Sequence, residues 1–348
     1  MVRRINWKKI GLAVVSIALF VLAIQLMKEA AGAVAPYVRG WLHVDNAPNS
    51  LGFGWLSAYV IMSGSPVAAV ALAFFDAGTI GQFEALTMIS GSRLGASFIV
   101  LFIGLIYVLR GHERLTGLSM GLLSFIVTAF LHLPGLGTSY VLLANNVTDP
   151  IRLGGGGTLT SVLDLLYGPL VDFVMQNAPG WLAFVIGAVL VLLSFNFIDR
   201  SLPQLHLESS QFGAISRVVY RPIVMFLTGL VITALSMSVS ISLSLLVPLS
   251  ARGYIKTENA IAYVMGANVS TFVDTLFVAL LLNNPEATEV VLVQMISISI
   301  VSLFVLSLLY QPFERLVLNI TSRTVQSTRN LAIFAAAILI TPLFLLLL

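Results

Sequence analysis

Met62-Ser63-Gly64-Ser65 interrupts one apolar run of this chain, and Met237-Ser238-Val239-Ser240 interrupts another, at an offset of 175 in the numbering. The same offset carries Gly78 onto Gly253, Ile80 onto Ile255, Ala85 onto Ala260, Gly91 onto Gly266 and Phe102 onto Phe277 without a gap. Interruptions at matching positions in two halves of an apolar chain point to a ligand site near the middle of a membrane. Polar residues there need satisfied hydrogen bonds, so a serine-rich break must be buried in protein or line a wet cavity.

Working outward from the breaks, composition fixes the solvent. The 348 residues are 58% hydrophobic and only 9% charged, with a mean hydropathy of +0.99. A soluble domain carries about 25% charged residues, so most of this chain belongs in lipid. There is no cysteine, which excludes disulfides, thiolate catalysis and sulfur-ligated metals. No metalloprotease helix motif, nucleophile elbow, P-loop or dinucleotide fingerprint occurs. An enzyme is therefore not expected, nor a cofactor, nor a nucleic-acid partner.

Apolar runs of roughly 20 residues can cross a bilayer. They lie near residues 8–27, 82–109, 115–133, 180–198, 257–283, 289–309 and 331–348, while 51–75 and 222–250 are broken by the serine motifs. Residues 28–50, 134–179 and 310–330 read as connectors. The spacing predicts an all-α polytopic membrane protein of two inverted-topology repeats, each with a re-entrant helical hairpin and a discontinuous transmembrane helix. The first repeat is expected over 1–137, an extracytoplasmic connector over 138–179, the second repeat over 180–311, and a basic cytoplasmic connector with a final transmembrane helix over 312–348.

Charge sets the expected orientation. Arg3, Arg4, Lys8 and Lys9 precede the first span, and the connector around Arg110 and Arg114 is basic. Its counterpart holds Glu286 and Glu289; Asp76 and Glu84 likewise face Arg252 and Lys256. Equivalent loops of opposite bias suit opposite sides of a membrane. A cytoplasmic N-terminus, an outer C-terminus and location in the cell membrane follow. Treating 51–75 as an ordinary kinked span would put the basic loops outside.

The candidate chemistry sits at the breaks. A half-helix that starts in mid-membrane exposes free N–H groups and a positive dipole end, which suits an anion. Gly64 permits the reversal, and Pro66 fits the first turn of the next helix. Against this, Ser63, Ser65, Ser238, Ser240 and Ser242 could simply bond the preceding turn, as serines do in membrane helices. A second small, polar segment in each half, Gly91-Ser92-Arg93-Leu94-Gly95-Ala96-Ser97 and Gly266-Ala267-Asn268-Val269-Ser270-Thr271, reads as a helix break with oxygen ligands or as close helix packing. Arg93 and Asp274 are ionisable residues inside apolar runs, where an unpaired charge is expensive. Arg93 could fork onto an oxyanion or stand as a fixed cation; Asp274 could bind sodium, carry a proton, or pair with Arg93. His132 reads as an interfacial residue.

These motifs resemble the type II sodium/phosphate cotransporter family, whose members carry two copies of Gln-Ser-Ser-Ser followed by Gly-Ala/Thr-Asn-Ile/Val-Gly-Thr-Thr. Aligned on Gly78 and Gly253, the family's glutamines fall on Met62 and Met237, its serines on Ser63, Gly64 and Ser65 and on Ser238, Val239 and Ser240, and its first asparagine on Arg93. The resemblance implies sodium-coupled uptake of phosphate or a related oxyanion by alternating access. It implies a substrate site of Ser63, Gly64, Ser65, Arg93, Ser238, Val239 and Ser240. Asn268, Ser270, Thr271, Asp274, Ser92 and Ser97 would then hold Na+, with no other metal. The rival expectation is a non-transporting scaffold or regulator of the same fold. A homo-oligomer is compatible with either.

Overall fold

A chain in lipid must satisfy its backbone hydrogen bonds within each segment, which favours helices, and the described residues contain helices and no strand. The computed structural model describes residues 7–40, 44–109, 114–148, 156–201, 221–251 and 255–348. Seven of its helical segments are long and apolar enough to cross a membrane. They support a multi-pass membrane protein.

The first half begins with α1 (Trp7–Gly40), α2 (Ala47–Ile61), α3 (Ser65–Asp76), α4 (Gln82–Leu109) and α5 (Arg114–Ala144). Asn46 caps α2 and exchanges side-chain hydrogen bonds with Asn49 in a reciprocal box. The helix stops where Met62 turns left-handed, at φ 56°. Shortly beyond, Pro66 lies in the first turn of α3, where its missing N–H is no loss.

The second half repeats this design. After α6 (Gly156–Asn177) and α7 (Gly180–Ser201) comes α8 (Pro222–Ser236), which ends at Met237 with φ 49°. Ser238 then caps α9 (Val239–Ser244) by accepting the Ile241 N–H at 3.3 Å. Next come α10 (Leu246–Ala251), α11 (Thr257–Ser270), α12 (Val273–Leu282) and α13 (Pro285–Phe304). A π-helical turn over Val305–Leu309 leads into α14 (Tyr310–Gln326), and α15 (Thr328–Leu346) closes the order.

Glycines set the packing in both halves at one spacing. A Cβ on Gly54 would lie 3.1 Å from the Met88 Cα, and one on Gly229 would lie 3.1 Å from the Tyr263 Cα. A Cβ on Gly91 would meet the Trp55 N at 3.0 Å, and one on Gly266 the Leu230 N at 2.9 Å. Each member of the second set stands at the repeat offset from its counterpart. Small residues let helix backbones touch in this way.

The same contacts give direction. Along α2, Gly54 lies beside Met88 and Ala58 beside Gly95, so α2 runs with α4. Ser65, at the start of α3, lies beside Arg93, and the short 77–81 loop joins α3 to the start of α4, so α3 runs against it. The chain reverses between α2 and α3, level with the middle of α4. Helices α1 and α7 pack antiparallel: Gly180 lies by Ala33, Gly187 by Met27, and Phe20 by Phe195 at 5.2 Å between ring centroids.

One end of the bundle gathers several loops. Arg39 donates to the Thr79 and Gly78 carbonyls, both at 2.6 Å, and Lys28 to the Leu282 carbonyl at 3.0 Å. Asn284 donates to Asp76 at 2.9 Å, and Thr148 to Glu289 at 2.6 Å. The acidic loops at 76–84 and 283–289 therefore share an end, as the charge pattern anticipates.

Two expectations need correction. Helix α4 is continuous, so the first half has no discontinuous helix: Gly91 and Gly95 serve contact with α2, and Ser92 and Ser97 donate to the Ile89 and Leu94 carbonyls within the helix at 2.7 and 2.6 Å. Only the equivalent segment of the second half is interrupted, at Thr271–Phe272 between α11 and α12. The connectors are also largely helical: α1 extends to Gly40, α5 to Ala144, and α14 occupies 310–326. Basic Arg110 and Arg252 lie outside the described residues.

Candidate functional site

A pairing of Arg93 with Asp274 was one of the roles the sequence left open, and the fold joins them. Arg93 comes from the middle of α4, and Asp274 from the first turn of α12. Helix α3 packs against α12, and α9 packs against α4. Each half thus lends the start of a post-break helix to the other half's long span.

At the centre, Arg93 Nη2 donates to Asp274 Oδ1 at 3.2 Å, with both side chains almost wholly buried, 1% and 2% exposed. It also donates to the Thr275 hydroxyl. Arg93 Nη1 reaches Ser65 Oγ at 3.4 Å. Its guanidinium lies over the Phe272 ring, 5.3 Å from the centroid, a cation–π contact. Asp274 Oδ1 further accepts the Thr275 N–H at 2.5 Å and its hydroxyl at 2.9 Å. Arg93 Nε is buried without a hydrogen-bond partner among the described residues.

The ion pair meets the electrostatic demand of the site. A lone buried charge is costly, while two opposite charges in contact offset each other. The contact is through one nitrogen and one oxygen rather than a two-pronged fork, and Nε stays unsatisfied. The arrangement therefore holds spare donor capacity beside Ser65, where α3 begins.

A second polar cluster lies between α5 and α11. His132 Nε2 meets Asn268 Oδ1 at 3.1 Å. Asn268 Nδ2 donates to Thr128 Oγ1 at 3.1 Å and to the Val264 carbonyl at 2.9 Å. His132 is 1% exposed, which corrects its reading as an interfacial residue. The Phe272 ring links the two clusters, with its centroid 6.0 Å from that of His132. Arg93 and Asn268 are separated by the repeat offset, so equivalent positions of the two halves carry both clusters.

The remaining candidates are spread around this core. Gly64 and Ser65 are buried and Ser63 half-buried at the first break. Ser238 is occupied as a cap, Val239 is buried, and Ser240 is half-buried. No hydrogen bond among the described residues ties Ser63, Ser238 or Ser240 to the Arg93 cluster. Ser242 is buried and bonded to the side chains of Thr233 at 2.6 Å and Tyr263 at 2.8 Å, not to the preceding turn of its own helix. Ser270 points back to the Gly266 carbonyl at 3.4 Å, and the Thr271 hydroxyl is buried without a partner among the described residues.

Thr275 and Thr128 escaped the sequence reading, and His132 was assigned to the membrane interface instead of to this cluster. Thr275 stands directly beside Asp274, and a hydroxyl next to an intramembrane carboxylate was the available signal. His132 lay inside an apolar run, but no motif tied it to Asn268.

Residues 190–340 match the family model described as Na+/Pi-cotransporter. No curated protein and no solved structure matches the chain. The matched region contains the second break, the Asn268 segment and Asp274. Among the described residues no group of three or more His, Asp or Glu side chains could hold a metal ion.

Proposed function

We propose that this chain, whose residues 190–340 match the Na+/Pi-cotransporter family model, is a sodium-coupled importer of phosphate or a related oxyanion. The observation that carries the reading is the buried Arg93–Ser65–Asp274 cluster at a left-handed break, Met62, that recurs at Met237 within the matched region. An anion would lie near the N-terminal ends of α3 and α9, held by Arg93, by the hydroxyls of Ser63, Ser65, Ser238 and Ser240, and by the backbone at Gly64 and Val239.

Sodium would use oxygen ligands in the same region. Thr271 offers a buried hydroxyl without a partner among the described residues, and Asp274 offers charge; Ser270 and Asn268 would complete the set. Ser92 and Ser97 already donate to carbonyls of their own helix and stand as supporting residues. In a low-dielectric site the cation would offset the anion's charge.

The antiparallel packing of α1 on α7 supports an inverted relation between the halves, because a two-fold axis across two membrane-crossing helices lies in the membrane plane. The chain reversals at Met62 and Met237 would then be the tips of re-entrant hairpins entering from opposite faces. Rocking one half against the other would give alternating access. The test is uptake of radiolabelled phosphate into proteoliposomes of the purified protein. An inward sodium gradient should drive accumulation, and equal uptake with and without it would defeat the reading.

A further inference from the structure

Arg93 and Asp274 are each other's neutralising partner, and each is also the group best suited to one of the two transported ions. The guanidinium suits an oxyanion, because its planar fork can donate two parallel hydrogen bonds. The carboxylate suits a hard cation, which takes oxygen ligands. In the observed state Arg93 spends one nitrogen on Asp274 at 3.2 Å, one on Ser65 at 3.4 Å, and leaves Nε without a partner among the described residues.

We propose that this pair is the coupling element of the transporter: the oxyanion takes Arg93 from Asp274 while sodium takes Asp274 from Arg93. The inference rests on the transport reading above and extends it to how the two ions are tied together. An anion bound alone would strand the Asp274 carboxylate, 2% exposed, with no cation. Sodium bound alone would strand Arg93, the largest fully buried side chain among the described residues. Breaking a buried pair by removing one partner is strongly destabilising. When both ions arrive, each buried charge regains a partner of opposite sign, so the two binding events favour each other.

The positions of the two residues add a mechanical consequence. Arg93 belongs to α4 in the first half and Asp274 to α12 in the second. The ion pair is thus a tie between halves in the unloaded protein. Exchange of partners releases that tie only when both ions are present, which opposes movement with one ion alone.

The test measures binding of inorganic phosphate to the purified full-length protein in detergent, with sodium chloride or choline chloride. In the wild type, sodium should raise phosphate affinity by at least about tenfold, within the usual range of coupling between sites. Asp274→Asn removes the competitor for Arg93, so phosphate should bind equally well in both salts. Arg93→Gln should abolish phosphate binding. A readout that needs no variant is thermal denaturation of the wild type: sodium and phosphate together should raise Tm by more than their separate shifts added. An Asp274→Asn protein that keeps the wild-type sodium effect would overturn the coupling role and leave the transport reading intact. A wild type that neither binds nor accumulates phosphate would remove the transport reading and this inference with it.

Discussion

Phe20 and Phe195 pack edge-on, 5.2 Å between centroids and 75° between ring planes, and their separation in the chain is the same offset that relates Met62 to Met237. Equivalent residues of a repeat touch each other only on the axis that relates the copies. The pairings that follow on one side of it, Met27 with Gly187 and Ala33 with Gly180, run in opposite directions along α1 and α7. A two-fold axis across α1 and α7 would produce such contacts, which supports the inverted arrangement proposed above.

The aromatic contact should behave as a shared element. Phe20 also stacks on Phe277 at 6.0 Å, so Phe20→Ala removes two ring contacts and Phe195→Ala one. Truncating a buried Phe costs about 3–5 kcal/mol, and a ring pair adds about 0.5–1.5 kcal/mol beyond burial. Thermal unfolding in detergent should rank Phe20→Ala below Phe195→Ala. The double variant should be less destabilised than the two losses added.

Gly54→Ala and Gly229→Ala should be comparably disruptive. In each a methyl group would drive into a backbone carbonyl, that of Met88 or Tyr263, which cannot yield as a flexible side chain would. Gly137→Ala, with open space where its Cβ would be, should leave the Tm unchanged or slightly raised. Size-exclusion profiles and melting curves of the three variants check this, and a benign Gly229→Ala would contradict the shared packing.

Much of this could be read in the sequence, and the failures have physical causes. The breaks at Met62 and Met237 were legible because serine and glycine in mid-run leave backbone groups that lipid cannot satisfy. The Gly91–Ser97 segment has similar composition and yet forms an unbroken helix. Glycine in an apolar run serves a break and a close approach equally well, and only the position of α2 decides between them. Helix ends were underestimated at Gly40 and Ala144 because hydropathy marks the part of a helix in lipid, while helices continue beyond it. The Arg93–Asp274 contact joins residues 181 apart, and sequence could name both members without fixing their pairing.

Ser240→Ala should weaken phosphate affinity more than Ser299→Ala. Ser240 is half-buried in the first turn of α9, its hydroxyl free of hydrogen bonds among the described residues, whereas Ser299 donates to the Met295 carbonyl at 2.6 Å. Loss of one hydroxyl donor to an anion corresponds to about 1.5–3 kcal/mol, roughly ten- to 150-fold in Kd. Equal effects of the two substitutions in a phosphate-binding titration would remove Ser240 from the site.

His132→Ala should destabilise the protein through Asn268. It leaves the buried Asn268 Oδ1, now bonded to His132 at 3.1 Å, without that partner, a loss of about 1–3 kcal/mol. His132→Gln, which can donate from a similar position, should recover part of the Tm. No Tm loss in His132→Ala would show that the contact carries no stability.

The account as a whole depends on the two halves lying upside down relative to each other across the membrane. The chain has no cysteine, so single cysteines can be placed without background. Gly81 and Lys256 are repeat equivalents, and both are exposed. In intact cells a membrane-impermeant maleimide should label Gly81→Cys from outside and reach Lys256→Cys only after the membrane is opened. Labelling of both from the same side would contradict the inverted arrangement and the transport scheme built on it.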